Sequence, residues 1–213
     1  MTDATPMAQQ RIDVWLDALA SGAATPGGGA FAALGAAAGA GLVAMVGHLT
    51  IGKERYADVE ERMRAIVTEC DEERAGFLRL ADEDAAAFDR VMDAYRLPRG
   101  TEAETAERLR ALQEALEGAA EVPLMVARRA VYAMGLAGEA TAIGNPNAAS
   151  DGLSGAAALF GAAVAALATV RINAFAFTDA ARREELLDDC RRLRGRADAL
   201  LADADEAFAA RTS

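Results

Sequence analysis

A chain of 213 residues fits one domain, or a bundle that completes its core by pairing, and leaves little room for a separate second module. Its formal net charge of -11, from 33 acidic against 22 basic residues, argues against a phosphate-tracking nucleic-acid binder, whose footprint is a basic patch. Hydrophobic residues make up 53% of the chain but aromatics only 5%, so the interior must be built from Ala, Leu and Val, side chains small enough to let helices approach closely.

No segment sustains period-two alternation, whereas apolar positions recur three and four apart, which predicts an all-α, single-domain bundle of about six helices over residues 1–213. The N-terminal stretch carries acid and amide where an export leader carries positive charge, so a cytoplasmic location is expected. A first helix is predicted over 8–19, burying Ile12, Trp15, Leu16 and Leu19. The loop Thr25-Pro26-Gly27-Gly28-Gly29 then leads into a second helix over 30–49, apolar all round and therefore expected to be packed on every side. A long amphipathic helix follows over 56–95, with Val59, Met63, Ile66, Cys70, Phe77 and Leu80 on one stripe, ending before Leu97-Pro98. Thr101 and Glu104 form a capping box for a fourth helix, in which Pro123 predicts a kink or break and which ends near Gly144. After the turn Gly144-Asn145-Pro146-Asn147, Ser150 and Asp151 are expected to cap a fifth helix reaching Phe177, and Asp179 to cap a last, charge-alternating one. Residues 27–52 and 152–170 are long and apolar enough to span a membrane, but their Ala and Gly content and the lack of a polybasic anchor predict buried core helices instead. Cys70 and Cys190 have no metal-like spacing and read as reduced thiols.

Certain residues stand out against this background. Lys53 is the only lysine in the chain, set in a Gly-Lys-Glu-Arg-Tyr turn beside an apolar helix. The only asparagines are Asn145, Asn147 and Asn173; the first two share a turn beside Ser150 and Asp151, where turn-building and ligand binding are both open readings. Asn173 lies beside Arg171 in an otherwise apolar segment, where an amide needs a hydrogen-bond partner or a ligand. The triple glycine offers backbone N–H groups at the start of a buried helix, suited to an anion or to the polar edge of a flat ring, or serves only as a turn. It lacks the Gly-Lys-Ser/Thr ending of a nucleotide loop. His48, the sole histidine, is either an acid/base near neutrality or a structural residue.

Taken in order, Thr25 to Gly29, Met45-Val46 with Leu49-Thr50-Ile51-Gly52-Lys53 and Tyr56, Asp84 with Ala87-Phe88, Ala94-Tyr95 with Leu97-Pro98, Pro123, the Gly144-Asn145-Pro146-Asn147 turn with Ser150-Asp151, and Val170-Arg171-Ile172-Asn173 resemble the formiminotransferase-cyclodeaminase C-terminal domain family. The resemblance spans nearly the whole chain and implies an all-α fold that pairs as a homodimer. It implies a formiminotetrahydrofolate cyclodeaminase forming the methenyl folate and ammonia, or alternatively a methenyltetrahydrofolate cyclohydrolase or a non-catalytic folate-binding relative. His48 and Thr169 stand where many members carry Asn. Attack on a cationic one-carbon centre gains from a carboxylate and needs a weak acid. Asp84 and Asp151 are therefore the candidate carboxylates, and Lys53 and Tyr56 the candidate proton donors. Thr25, Pro26, Gly27, Gly28, Gly29, Asn145, Asn147, Ser150 and Asn173 are candidate substrate contacts, and Arg171 or Lys53 a candidate anchor for the glutamate tail. The expected partner is a small folate, with no membrane, no metal and no permanently bound cofactor.

Overall fold

The computed structural model describes residues 5–212. Its elements in chain order are a short 3-10 turn (Met7–Gln9), α1 (Ile12–Leu19), α2 (Gly28–His48), a 3-10 turn (Glu54–Val59), α3 (Glu60–Arg96), α4 (Glu102–Ile143), a 3-10 turn (Pro146–Ala148), α5 (Ala149–Ala174) and α6 (Ala180–Thr212). This is the all-α bundle of six helices expected from the periodicity.

The centre is the antiparallel pair α2 and α5. Gly28 at the start of α2 lies against Thr169 near the end of α5, and Gly39 against Gly155 and Leu159. A Cβ added to Gly39 would stand 2.8 Å from Leu159 Cγ and 3.0 Å from the Gly155 carbonyl, and one added to Gly155 would stand 3.0 Å from Val43 Cγ2. The two backbones thus touch where both lack a side chain, which explains glycine inside helices at a propensity cost of up to about 1 kcal/mol each. Gly39→Leu is expected to lower the thermal unfolding midpoint, with overpacking costing about 1–3 kcal/mol. An unchanged midpoint by circular dichroism would refute the tight crossing.

Helices α3 and α4 flank this pair and α6 packs on α4 and α5. Phe77, Met63, Ile66, Leu124, Met134, Leu159 and Leu186 fill the core, each side chain contributing about 1.5–3 kcal/mol by burial. Ion pairs lace the outside, Arg129 with Glu73 between α4 and α3 and Arg182 with Glu117 between α6 and α4. Cys70 and Cys190 are buried and unpaired, and burial pushes the Cys70 thiol up to about 12, which leaves it unreactive.

The capping box at Thr101 and Glu104 forms as the sequence predicts, and Asp179 caps α6 through the Ala181 and Arg182 N–H groups. Six expectations are corrected. The α1 stripe buries only Trp15; Ile12 and Leu16 face outward, because so short a helix meets the bundle along one edge. The third helix begins at Glu60, with residues 54–59 in a tighter turn. Pro123 sits inside a continuous α4, so no break occurs there. Ser150 and Asp151 lie in the first turn of α5, and it is the Asn145 side chain that caps the preceding 3-10 turn by accepting the Asn147 N–H. That helix also ends at Ala174, short of Phe177.

The sixth correction concerns α2, which is not covered on every side. Phe31, Ala38, Met45 and Leu49 form an exposed stripe at helical spacing, and Ser154, Ala157, Gly161, Ala168 and Ile172 continue it on the same side of α5. Both helices are long and apolar enough to cross a membrane, with 61% and 44% of their most apolar windows buried by the rest of the fold. The uncovered part is one continuous uncharged face of two antiparallel helices.

Candidate functional site

A cleft of about 240 Å³ opens at the N-terminal end of α2, lined by Thr25, Gly27, Gly28 and Gly29, by Asp84, Phe88 and Val91 of α3, by Leu116 and Ala119 of α4, and by Thr169 and Asn173 of α5. The glycines are there for space. A Cβ on Gly29 would overlap the Asp84 carboxylate, so the helix start and the acid are locked together. Gly28 approaches Thr169, whose hydroxyl donates to the Ala165 carbonyl and so fixes its oxygen at the cleft wall. The Thr25–Pro26 peptide just before this turn is cis. Asn173, four residues beyond Thr169 and hence on the same side of α5, donates from Nδ2 to the Ala119 carbonyl at 2.7 Å, leaving its Oδ1 as an acceptor.

Among the described residues, Asp84 is the one titratable side chain lining the cleft. Burial pushes its carboxyl above the usual aspartate range, and a hydrogen bond from the Ala30 N–H at the helix start pulls partly the other way. Its neighbours are apolar or neutral, so its ionised form is compensated mainly by the start of α2. A desolvated carboxyl held in a cleft is suited to exchanging a proton with a bound substrate.

The other predicted residues form a second cluster. The Asn145 side chain accepts from Tyr56 OH at 3.0 Å and from the Arg55 guanidinium at 3.3 Å, and donates to the Leu49 carbonyl at 3.1 Å. Its N–H donates to Thr50 Oγ1 at 2.9 Å, and Lys53 Nζ donates to Leu49 O at 2.5 Å. Asn147 belongs to the same turn, and Ser150 and Asp151 follow it at the start of α5. This cluster sits at the C-terminal end of α2. With 21 residues in that helix, it lies roughly 30 Å from the glycine turn at about 1.5 Å per residue.

Within one chain, then, Thr25, Pro26, Gly27, Gly28, Gly29, Asp84 and Asn173 are at one end of the bundle, and Lys53, Tyr56, Asn145, Asn147, Ser150 and Asp151 at the other. Arg171 joins neither. It faces α6 and lines a separate cavity of about 450 Å³ with Phe175, Cys190, Arg191 and Arg194. His48 is exposed at the end of α2, between Met45 and the Asp71–Arg74 side of α3. The sequence reading missed Arg55, Leu116 and Ala119; Thr50, the buried pivot of the second cluster, stood in the motif Leu49-Thr50-Ile51-Gly52-Lys53 without an assigned role. Leu116 and Ala119 lie on the apolar stripe of α4 and look like any core position. Arg55 stood next to Tyr56 without a pattern to distinguish it.

The fold and cleft define a class: an all-helical bundle presenting a desolvated carboxylate beneath a glycine-lined helix start. A family profile described as formiminotransferase-cyclodeaminase matches residues 11–192. The chain is 41% identical over 192 residues to the methenyltetrahydrofolate cyclohydrolase of Methylorubrum extorquens, covering 90% of this chain and 92% of that one. It is 35% identical over 162 residues to the formimidoyltransferase-cyclodeaminase of Mus musculus, 76% of this chain but only 30% of that longer protein. A crystal structure of formiminotetrahydrofolate cyclodeaminase from Thermotoga maritima superposes with a TM-score of 0.86 at 28% identity, over 97% of this chain and 99% of that one. This chain belongs to the formiminotransferase-cyclodeaminase family, as the ordered motifs led one to expect.

Gly29→Ala tests the cleft directly. The added methyl must displace Asp84 or the helix start, so a destabilisation of about 1–3 kcal/mol is expected together with loss of whatever turnover the cleft supports. A fully active variant of wild-type stability would show that the glycine and carboxylate are not in contact.

Proposed function

We propose that this chain is a methenyltetrahydrofolate cyclohydrolase, opening 5,10-methenyltetrahydrofolate with water to 10-formyltetrahydrofolate in the cytoplasm. The observation that carries the reading is the single proton-exchanging carboxyl, Asp84, in a cleft whose other polar groups are neutral. Ionised Asp84 takes a proton from water as its oxygen bonds to the cationic methenyl carbon. The carboxyl then returns that proton to nitrogen 5 as the carbon–nitrogen bond breaks, and the remaining hydroxyl loses its proton to solvent, leaving the formyl group on nitrogen 10. One carboxyl serves as base and then acid, within the range of about 10²–10⁴-fold typical of such catalysis. The free Asn173 Oδ1 and the Gly28 and Gly29 N–H groups are suited to holding the pterin edge. The 41% identity to a cyclohydrolase along almost the whole of both chains supports this reading over the deaminase expected from the motifs.

The cyclodeaminase reaction is the second reading, supported by the likeness to the Thermotoga maritima protein. There nitrogen 10 attacks the formimino carbon and ammonia leaves, which needs an acid besides the base. A spectrophotometric assay decides between them. Loss of methenyl absorbance well above the spontaneous rate supports the cyclohydrolase; gain of that absorbance from 5-formiminotetrahydrofolate with ammonia release supports the deaminase. Tight folate binding with neither change would mark a non-catalytic relative.

The chain is further proposed to act as a homodimer through the bare face of α2 and α5. A two-fold axis running across these helices sets the partner antiparallel, so that the Lys53–Tyr56–Asn145 end of one protomer closes over the Asp84 cleft of the other. In this arrangement the two clusters separated by the length of α2 become one site. Burial of the exposed Phe31, Met45, Leu49 and Ile172 would drive the pairing.

A further inference from the structure

The residues of α2 that are exposed are Gly28, Phe31, Ala38, Met45 and His48, and their spacing reads the same from either end. Ala38 is the midpoint; Phe31 and Met45 stand seven residues to either side of it, Gly28 and His48 ten. The exposed residues of α5 repeat the pattern about Gly161, with Ser154 and Ala168 seven residues away, Ser150 and Ile172 eleven, and only Ala157 and Arg171 outside it. The two midpoints lie side by side, because α5 passes α2 with Ala162 against Gly35 and Leu159 against Gly39. A face of this kind matches itself after a half-turn about an axis across both helices, the condition for an isologous contact. The half-turn carries His48, roughly 15 Å from the midpoint at about 1.5 Å per residue, to the level of Gly28 at the cleft of the other protomer.

His48 is the sole histidine of the chain and has no hydrogen-bond partner among the described residues. Its charged neighbours on α3 are Asp71 and Arg74, which pair with each other at 2.8 Å and so do not engage the imidazole. In the cleft it would reach, Asp84 is the one titratable side chain among the described residues, and a single carboxyl handles only one of the two protons of the attacking water. An imidazole both accepts and releases a proton near neutral pH. We propose that His48 is the second base of the ring opening and serves the cleft of the other protomer. The inference deepens the cyclohydrolase reading and rests on it and on the antiparallel dimer. As Asp84 returns the first proton to nitrogen 5 and the bond from that nitrogen to carbon breaks, a ring nitrogen of His48 takes the remaining hydroxyl proton. The O–H electron pair becomes the second bond of the formyl carbonyl, and the imidazolium hands its proton to solvent. One water enters, one proton leaves, and nitrogen 10 keeps the formyl group.

The test uses the full chain carrying His48→Gln or His48→Ala. His48 is exposed, so both variants are expected to keep the native unfolding midpoint and the dimer in sedimentation. With methenyltetrahydrofolate both are expected to lose about 10²-fold in kcat, the lower end of general-base catalysis, with KM little changed. Free imidazole is expected to restore His48→Ala in proportion to its concentration and to its unprotonated fraction across pH, and to leave Asp84→Asn unmoved. A merely structural role gives no such rescue. Unfolded together and reassociated, His48→Ala and Asp84→Asn are expected to regain about a quarter of wild-type activity, since half of the dimers are mixed and each of these holds one site with neither lesion. A His48→Ala protein with full turnover and an unaltered pH profile overturns the proposal while the folate reaction stands. A slow variant that imidazole does not restore overturns the role as a base. A slow, rescuable variant that fails to complement Asp84→Asn overturns the assignment to the other protomer. The dimer reading falls with it only if Lys53→Ala and Asp84→Asn fail to complement as well. A wild type that does not turn over methenyltetrahydrofolate removes the cyclohydrolase reading and this inference together.

Discussion

Asp84→Asn is expected to lower kcat/KM for methenyltetrahydrofolate by about 10³-fold or more, because the amide neither takes a proton from water nor returns one to nitrogen 5. The same substitution is expected to stabilise the protein. Burial raises the Asp84 carboxyl above its ordinary range, so the folded state holds the proton more tightly than the unfolded chain does. The sign follows: this residue leaves stability unaffected at pH values below the ordinary aspartate range, and costs stability as pH rises through the elevated folded value and the group ionises. Asn accepts the Ala30 N–H without a charge to desolvate. At neutral pH the variant should therefore melt higher than wild type, by on the order of 2 °C, and the difference should vanish in acid. In wild type the rate should fall on the acid side through the same elevated value, since only ionised Asp84 accepts the first proton. An Asp84→Asn protein with near-normal turnover would remove the residue from the chemistry; one that melts lower at neutral pH would show that the carboxylate is compensated in the fold.

The fold was largely written in local patterns. The Thr101 and Glu104 pair, the stripe from Met63 to Leu80 and the Asp179 cap each involve residues within a few turns of one another, and each appears where periodicity and capping put it. What sequence could not supply was coverage. The second helix is apolar in every direction, so its hydrophobicity carries no information about which side lacks a neighbour, and only the packing of α3, α4 and α5 around it reveals the bare stripe through Phe31 and Met45. Of the kink or break expected at Pro123 the break does not occur, for a related reason: a long helix held on both flanks tolerates a proline that would end an isolated one. The candidate site was legible as a set of residues but not as a geometry. Motif order along the chain says nothing about the length of α2 lying between Gly29 and Lys53.

The division of the candidate site between the ends of one helix makes a complementation experiment decisive. Asp84→Asn damages the cleft, and Lys53→Ala damages the opposite cluster, which is expected to cost about 10²-fold in kcat/KM by loss of a charged contact to substrate. In the proposed homodimer, each variant alone carries two defective sites. When equal amounts of the two variants are unfolded together and allowed to reassociate, about half of the dimers are mixed. If each site draws Asp84 from one protomer and Lys53 from the other, a mixed dimer holds one site with both lesions and one with neither, so the mixture should regain about a quarter of wild-type activity. If the two-fold axis instead runs along α2, like ends meet like ends, every site keeps at least one lesion, and no activity returns. The same holds if the chain works as a monomer. Placing an acidic residue on the bare face, as in Ala38→Glu, should abolish both the dimer in sedimentation and the regained activity, because an unpaired charge cannot be buried against the partner's Ala and Gly surface without a cost of several kcal/mol. A variant that stays dimeric would move the interface elsewhere on the molecule, and with it the reason for two half-sites at opposite ends of a single helix.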